Sequence, residues 1–247
     1  MDMMNNMVQL VKQLSGKLSP SVYTSLQQQS AAARHSQLRQ IQRELKKDDV
    51  LERPLSELPF VIFDFETSGF SPDKGDSILS IGAVKMKGDE ILEKETFYST
   101  VYSENPPEDV LRLTGLTKEE LNDSKPLSHV LPTFYEYIGK STLVAHHASH
   151  EKRFMSHATW QLLRTTFVHR ILDTSFLTKV VHPSLKLVTL DECCRHYQIP
   201  IHVRHHAMED ALVTAKLWQK NIRFAKELGY ETLQEIYTYL ARQHRST

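Results

Sequence analysis

Asp64 and Glu66 stand two residues apart at the end of the apolar run Pro59-Phe60-Val61-Ile62-Phe63, just ahead of Thr67-Ser68-Gly69. An apolar, aromatic-rich run of that length predicts a buried strand. Side chains two apart along a strand share a face, so both carboxylates point the same way. Like charges that close repel unless a cation lies between them, and hard divalent cations such as Mg²⁺ take carboxylate oxygens. The pair therefore predicts a metal site built on a central strand. A further acid, Asp210, falls in the first turn of an expected helix, where the helix dipole favours an anion. His205 lies five residues earlier and would face away from Asp210 on a continuous helix, so it is expected on the preceding loop, free to swing over the site. An imidazole there suits proton transfer from an activated water near neutrality. Ala207, Ala211 and Ala215 are small enough to let the helix approach a neighbour closely.

The elements that must position these groups alternate. Phe60–Asp64, Ser77–Lys87 and Ile91–Val101 are expected as three successive strands, with Lys87-Gly88-Asp89 as a hairpin turn. A helix is expected over Leu127–Ile138, a short strand over Thr142–His146, a helix over Glu151–Thr165 and a short strand over Arg170–Leu172. Asp173 at that strand's end reads either as a catalytic acid or, the simpler reading, as the cap of the next helix. Thr189 with Glu192 three residues on forms a capping-box pattern that opens a helix reaching about Tyr197. The last third reads as helices over about Met208–Leu228 and Glu231–Arg242, broken at Gly229. A hairpin-first sheet followed by helix–strand alternation predicts a mixed α/β sandwich.

Residues 1–55 differ in pattern. Met4, Met7, Val8, Val11, Leu14 and Leu18 recur at helical spacing, and Leu38, Ile41 and Leu45 share a second helical face. We expect a helical extension, either packed on its own domain or serving as a docking arm for a protein partner. Residues 56–228 are expected as the catalytic domain, and 229–247 as a C-terminal helix packed on it or trailing it.

Thirty Lys and Arg balance thirty Asp and Glu, so no global field draws the chain to nucleic acid and any basic path must be local. The two cysteines are adjacent at Cys193-Cys194 and supply no disulfide framework. With His196 they lack the spacing of a zinc site. No apolar run reaches membrane-spanning length, which predicts no membrane association. Residues 3–43 carry Lys12, Lys17, Arg34, Arg39 and Arg43 without an acid, a composition shared with organelle transit peptides. A cytoplasmic location is the expectation.

Asp64-Phe65-Glu66-Thr67 together with His205-x₄-Asp210 resembles the first and third motifs of the DEDDh (DnaQ-like) 3′–5′ exonucleases, the family that includes the proofreading epsilon subunit of bacterial DNA polymerase III and ribonuclease T. Leu113-Thr114-Gly115-Leu116-Thr117 is similar to the family's Thr-Gly-Ile-Thr element, and Leu172-Asp173-Thr174 to its Asp-Thr element. Leu190-Asp191 with Cys194 is similar to the helix before the third motif, so the likeness runs from about Phe60 to Trp218. It implies a ribonuclease-H-like fold, a mixed β-sheet flanked by helices. It also implies hydrolysis of phosphodiester bonds at single-stranded DNA or RNA 3′ ends with two Mg²⁺ or Mn²⁺ ions. Carried over by residue, it implies Asp64, Glu66, Glu151 and Asp210 as metal ligands and His205 as general base. Thr67, Ser68, His146 and His147 would border the substrate, and Phe70 would either stack on a base or close the fold.

The second motif departs from the family pattern His-Asn-Ala-x-Phe-Asp. This chain has His146-His147-Ala148-Ser149-His150-Glu151, followed by Phe154. Glu151 keeps the charge of the fourth acid on a side chain one methylene longer, and Mg²⁺ tolerates misplaced ligands poorly. Two functions follow: an active exonuclease of the DNA proofreading or repair type, or a catalytically weakened nucleic-acid-binding accessory protein that keeps the fold.

Overall fold

The computed structural model describes Ser36, Gln40, Ile41, residues 43–45 and residues 49–243. Residues 40, 41 and 43–45 are helical, on the second helix expected for the N-terminal segment. The first, around Met4–Leu18, lies outside the described residues, as does the partner role assigned to that arm.

From residue 55 the chain runs β1 (Pro59–Thr67), β2 (Ile78–Lys87), β3 (Glu90–Thr100), α1 (Glu108–Thr114), α2 (Lys118–Asn122) and α3 (Leu127–Ile138). It continues through β4 (Thr142–Ala145), α4 (Ser149–Leu163), β5 (Ile171–Asp173), α5 (Ser175–Val181), α6 (Leu190–Tyr197), α7 (Ala207–Glu227) and α8 (Leu233–Gln243). The five strands form one mixed sheet in the order β3-β2-β1-β4-β5. β1, β2 and β3 pair antiparallel, whereas β4 and β5 run parallel to β1.

β1 is the hinge of this topology. Its pairing with β2 continues to Thr67, three residues beyond the expected end at Asp64, so both carboxylates lie inside the strand. Its pairing with β4 reaches only Ile62 opposite Val144. Beyond that point β1 has no paired strand on the β4 side among the described residues, and Asp64 and Glu66 line a cavity there. This is the place where strand direction switches, the usual ligand position in open α/β sheets.

The two faces of β1 pack against different helices. Phe60 and Ile62 share a face with Asp64 and Glu66 and join a core containing Val84, Met86, Trp218 and Ile222. Phe60 meets Trp218 edge-on at 5.7 Å between ring centroids, which seats α7 on this face. On the opposite face Phe63 and Phe65 lie 5.9 and 6.3 Å from Phe134 of α3. Burying each such ring contributes about 2–3 kcal/mol. The C-terminal helix belongs to the α7 face: Leu233 and Ile236 of α8 are fully buried in that core, with Leu55 and Leu58.

Two short helices, α1 and α2, are absent from the sequence-based expectation. At seven and five residues they are too short for a periodic signal. Their ends are chemically marked: the Thr117 side chain accepts from Glu120 N–H, and Gly115 closes α1 at φ 74°. The expected capping box at Thr189 is present, with Glu192 N–H bonded to Thr189 Oγ1 and Glu192 Oε2 accepting from Thr189 N–H.

Candidate active site

Asp64 and Glu66 enter the cleft from β1, Glu151 from the first turn of α4, and Asp210 from the first turn of α7. All four line one cavity of about 610 Å³, together with Phe70, His146, His147, Asp191, Arg204 and His205. Asp64, Glu66 and Asp210 each offer a carboxylate oxygen within 4.8 Å of the others. Among the described residues no other His, Cys, Asp or Glu group meets that geometry. Glu151 lies in the same cavity but outside this trio. It is 3% exposed, and its Oε2 is buried without a hydrogen-bond partner.

Crowding acids in a cleft that partly buries them disfavours their charged forms. Burial first, then the neighbouring Glu151, Glu66 and Asp210, raises Asp64 well above the usual carboxylate range; the Arg204 guanidinium offsets this in part. Burial, aided by Asp210 and offset by Arg204, raises Glu66 to about 7. Burial raises Glu151 to about 8, with Asp173 and Glu66 adding to the shift and its own backbone hydrogen bond opposing it. A closely spaced set of hard oxygen donors with an orphaned carboxylate oxygen beside it fits divalent cations such as Mg²⁺ or Mn²⁺. Asp64, Glu66 and Asp210 would hold them, with Glu151 at the margin.

Gly82 of β2 controls how α7 reaches the trio. It pairs with Asp64 across the sheet, and a Cβ placed on it would overlap the Ala207 carbonyl and the Met208 amide. The bare glycine lets the first turn of α7 rest directly on the sheet, beside the two β1 acids. His206 caps this turn, its Nδ1 accepting from Glu209 N–H at 3.4 Å. His205 sits on the preceding loop, as its spacing predicts, in the left-handed region at φ 58°. Its ring is exposed at the cavity rim, while its backbone N–H donates to Asp210 Oδ2 at 2.9 Å. The loop is thereby tied to Asp210 through its backbone, and the imidazole stands clear of that contact.

The second motif is held from below. Asp173 Oδ2 accepts from Ala148 N–H and Oδ1 from Ser175 N–H, both at 2.8 Å. This acid therefore positions α4 and α5 together, the capping reading extended to two helices. His146 is wedged between Thr174 Oγ1 at 2.7 Å and the Val188 carbonyl at 3.0 Å. A carbonyl only accepts, so Nε2 carries the proton and Nδ1 accepts from the Thr174 hydroxyl. Burial, with His147 adding to it, lowers His146 to about 4 and keeps it neutral. His147 is exposed, with φ 59°.

Thr67 and Ser68 do not face the cavity with free hydroxyls. Thr67 Oγ1 donates to Gly69 O at 2.7 Å and lies 3.3 Å from His150 Nε2. Ser68 Oγ accepts from Ser77 N–H at 2.9 Å. Both hydroxyls brace the loop after β1, and Phe70 on that loop stands 77% exposed at the cavity edge. Arg204 is the cavity residue that motif spacing does not single out. Its Nε lies 3.2 Å from Asp191 Oδ1, and its Nη1 is hydrogen-bonded to Asp210 Oδ1. The available signal was a basic residue directly before His205, one of thirty in the chain.

Comparisons with known proteins bear on the family and the fold. The model of the RNase T exonuclease family matches residues 61–218. The PolC-type DNA polymerase III of Clostridium perfringens (strain 13 / Type A) is 35% identical over 183 residues, covering 72% of this chain and 12% of the polymerase. That of Bacillus subtilis (strain 168) is 33% identical over 185 residues, 74% of this chain and 13% of the polymerase. The chain thus spans about an eighth of the length of these relatives. Exonuclease X in complex with 5′ overhanging duplex DNA superposes with a TM-score of 0.55 at 19% identity, over 72% of this chain and 98% of that one. The nuclease domain of 3′hExo, a DEDDh family member bound to rAMP, gives 0.57 at 16% identity, over 67% and 92%. The shared architecture is the ribonuclease-H-like mixed sheet flanked by helices.

Proposed function

This chain belongs to the RNase T exonuclease family, and from that premise we propose that it removes nucleotides one at a time from single-stranded 3′ ends, in DNA proofreading or repair. The observation that carries the reading is the trio Asp64, Glu66 and Asp210, whose oxygens approach within 4.8 Å in an open cavity with His205 at its rim. The PolC-type polymerase relatives favour DNA as the substrate.

Two divalent ions bound at the carboxylates would supply Lewis-acid stabilisation of the phosphate and lower the pKa of the attacking water. Asp64, Glu66 and Asp210 would hold the ions, with Glu151 beside them in the same cavity. His205 takes one proton from the water as its oxygen bonds to phosphorus. The bond from phosphorus to the preceding 3′-oxygen breaks, solvent protonates that oxygen, and a nucleoside 5′-monophosphate leaves. The loop braced by the Thr67 and Ser68 hydroxyls would border the terminal nucleotide, with His147 at the rim and His146 behind it. Buried, reduced Cys193 and Cys194 accord with a reducing compartment, and we place the activity in the cytoplasm. A docking role for residues 1–55 would be tested by polymerase pull-down with and without that arm.

The test is degradation of 3′- and 5′-labelled single-stranded DNA and RNA with Mg²⁺, Mn²⁺ or EDTA, beside Asp64→Ala. Metal-dependent loss from the 3′ end, absent in the variant, is the expected result, with DNA cut faster than RNA. Strand binding without turnover under either metal would replace the enzyme with the accessory-protein reading. A rate gain in Glu151→Asp would then assign the deficit to the longer fourth acid.

A further inference from the structure

Arg204 is the one Arg or Lys among the described residues lining the carboxylate cavity. It stands on the loop between α6 and α7 with its side chain 27% exposed. Its guanidinium makes two separate attachments, Nε to Asp191 at 3.2 Å and Nη1 to Oδ1 of Asp210. Oδ2 of Asp210 already accepts the His205 N–H. Both oxygens of one member of the trio are thus engaged, and one of them by a cation. Asp191, by contrast, lies outside the trio and is about half exposed.

We propose that Arg204 is an internal counter-cation of this site, which divalent ions must displace from Asp210 in order to bind. The proposal rests on the metal-dependent reading above. Without ions, the guanidinium supplies the positive charge that the clustered acids need. It cannot withdraw by deprotonating, because arginine stays charged at any working pH. It can withdraw by moving: the Nε contact to Asp191 is a tether outside the trio, and Nη1 can swing off Asp210 about it. Divalent-ion affinity is then set by an exchange of cations rather than by filling of a vacant site. A hydrogen bond between charged groups is among the stronger single contacts in a protein, so removing this competitor should tighten ion binding by roughly tenfold or more.

The measurement is Mn²⁺ titration by isothermal calorimetry on the full chain without nucleic acid, for wild type, Arg204→Gln and Arg204→Lys. Thermal melts and far-ultraviolet circular dichroism verify folding. We expect Arg204→Gln to bind Mn²⁺ at least about tenfold more tightly, with Arg204→Lys close to wild type because the charge is kept. If Arg204 only braced the loop, its loss would loosen Asp210 and weaken Mn²⁺ binding, the opposite sign. Equal or weaker binding in folded Arg204→Gln, with normal binding in wild type, overturns this inference and leaves the metal-dependent reading standing. No Mn²⁺ binding in any of the three overturns both. Should Arg204→Gln fail to fold, a folded Arg204→Lys that binds Mn²⁺ tenfold more weakly than wild type overturns the exchange.

Discussion

Gly82 and Ala207 are in backbone contact: the first turn of α7 lies where a side chain on Gly82 would be. That contact brings Asp210 to Asp64 and Glu66, because Gly82 is the cross-strand partner of Asp64. Position 82 therefore tolerates no Cβ without displacing the helix. Gly82→Ala should destabilise the protein by about 2–4 kcal/mol and weaken Mn²⁺ binding at least tenfold. Chemical denaturation and calorimetry on the same preparation check both. A variant with unchanged stability would mean that α7 can slide without cost.

Asp64 and Glu66 are held against their electrostatic preference. Replacing Asp64 with Asn removes an acid whose charged form burial and its neighbours disfavour, and leaves the shape nearly intact. In EDTA, Asp64→Asn should melt higher than wild type by roughly 3–6 °C, for a gain of about 1–2 kcal/mol. With Mn²⁺ present the order should reverse, since wild type gains binding energy that the variant has lost. Nuclease activity should fall by a factor on the order of 10³. A lower melting point in EDTA would show that Asp64 serves the fold as well as the chemistry.

The raised carboxyls make stability depend on pH in a stated direction. A group whose pKa is higher in the folded chain makes the native state the better proton binder, so stability falls as pH rises between the unfolded and folded values. For Glu66 that window ends at about 7 and for Glu151 at about 8. His146 acts in the opposite direction: lowered to about 4, it destabilises the fold as pH drops below its ordinary value of about 6.5. Above about pH 6.5 the histidine effect fades and the carboxyl effect outweighs it. Metal-free protein should lose on the order of 2 kcal/mol between pH 6.5 and 8, with the raised Asp64 contributing in the same direction, and Glu151→Gln should remove part of that slope. Denaturant titrations in EDTA at the two pH values measure it, and a flat profile in wild type would contradict it.

Asp173 joins two helix starts, so its loss should be felt at the site. Asp173→Ala frees the Ala148 and Ser175 amides. The expected cost is about 1–3 kcal/mol of stability. Hydrogen exchange should increase at the start of α4, next to Glu151. Protection unchanged at Ala148 would show that the turn holds itself.

Much of the site was legible in the chain because it depends on local geometry. Strand alternation alone puts Asp64 and Glu66 on one face, and no packing arrangement could separate them while β1 is a strand. The same holds for the Thr189–Glu192 capping box and for the loop position of His205, which follows from five-residue spacing ahead of a helix. The helical alanines Ala207, Ala211 and Ala215 predicted a close approach, and all three are fully buried. Tertiary structure decided what those residues meet. Nothing local marks Gly82 as the partner of Ala207, 125 positions later by number, or Arg204 as the cation against Asp210. Nor does sequence spacing tell that Asp173 would hold Ala148 from a neighbouring strand, or that the Thr67 and Ser68 hydroxyls would be used within the loop. Side-chain type and spacing set which groups can share a face; which distant groups share a cavity is set by how the sheet, its short strand β4 beside β1, and α7 pack.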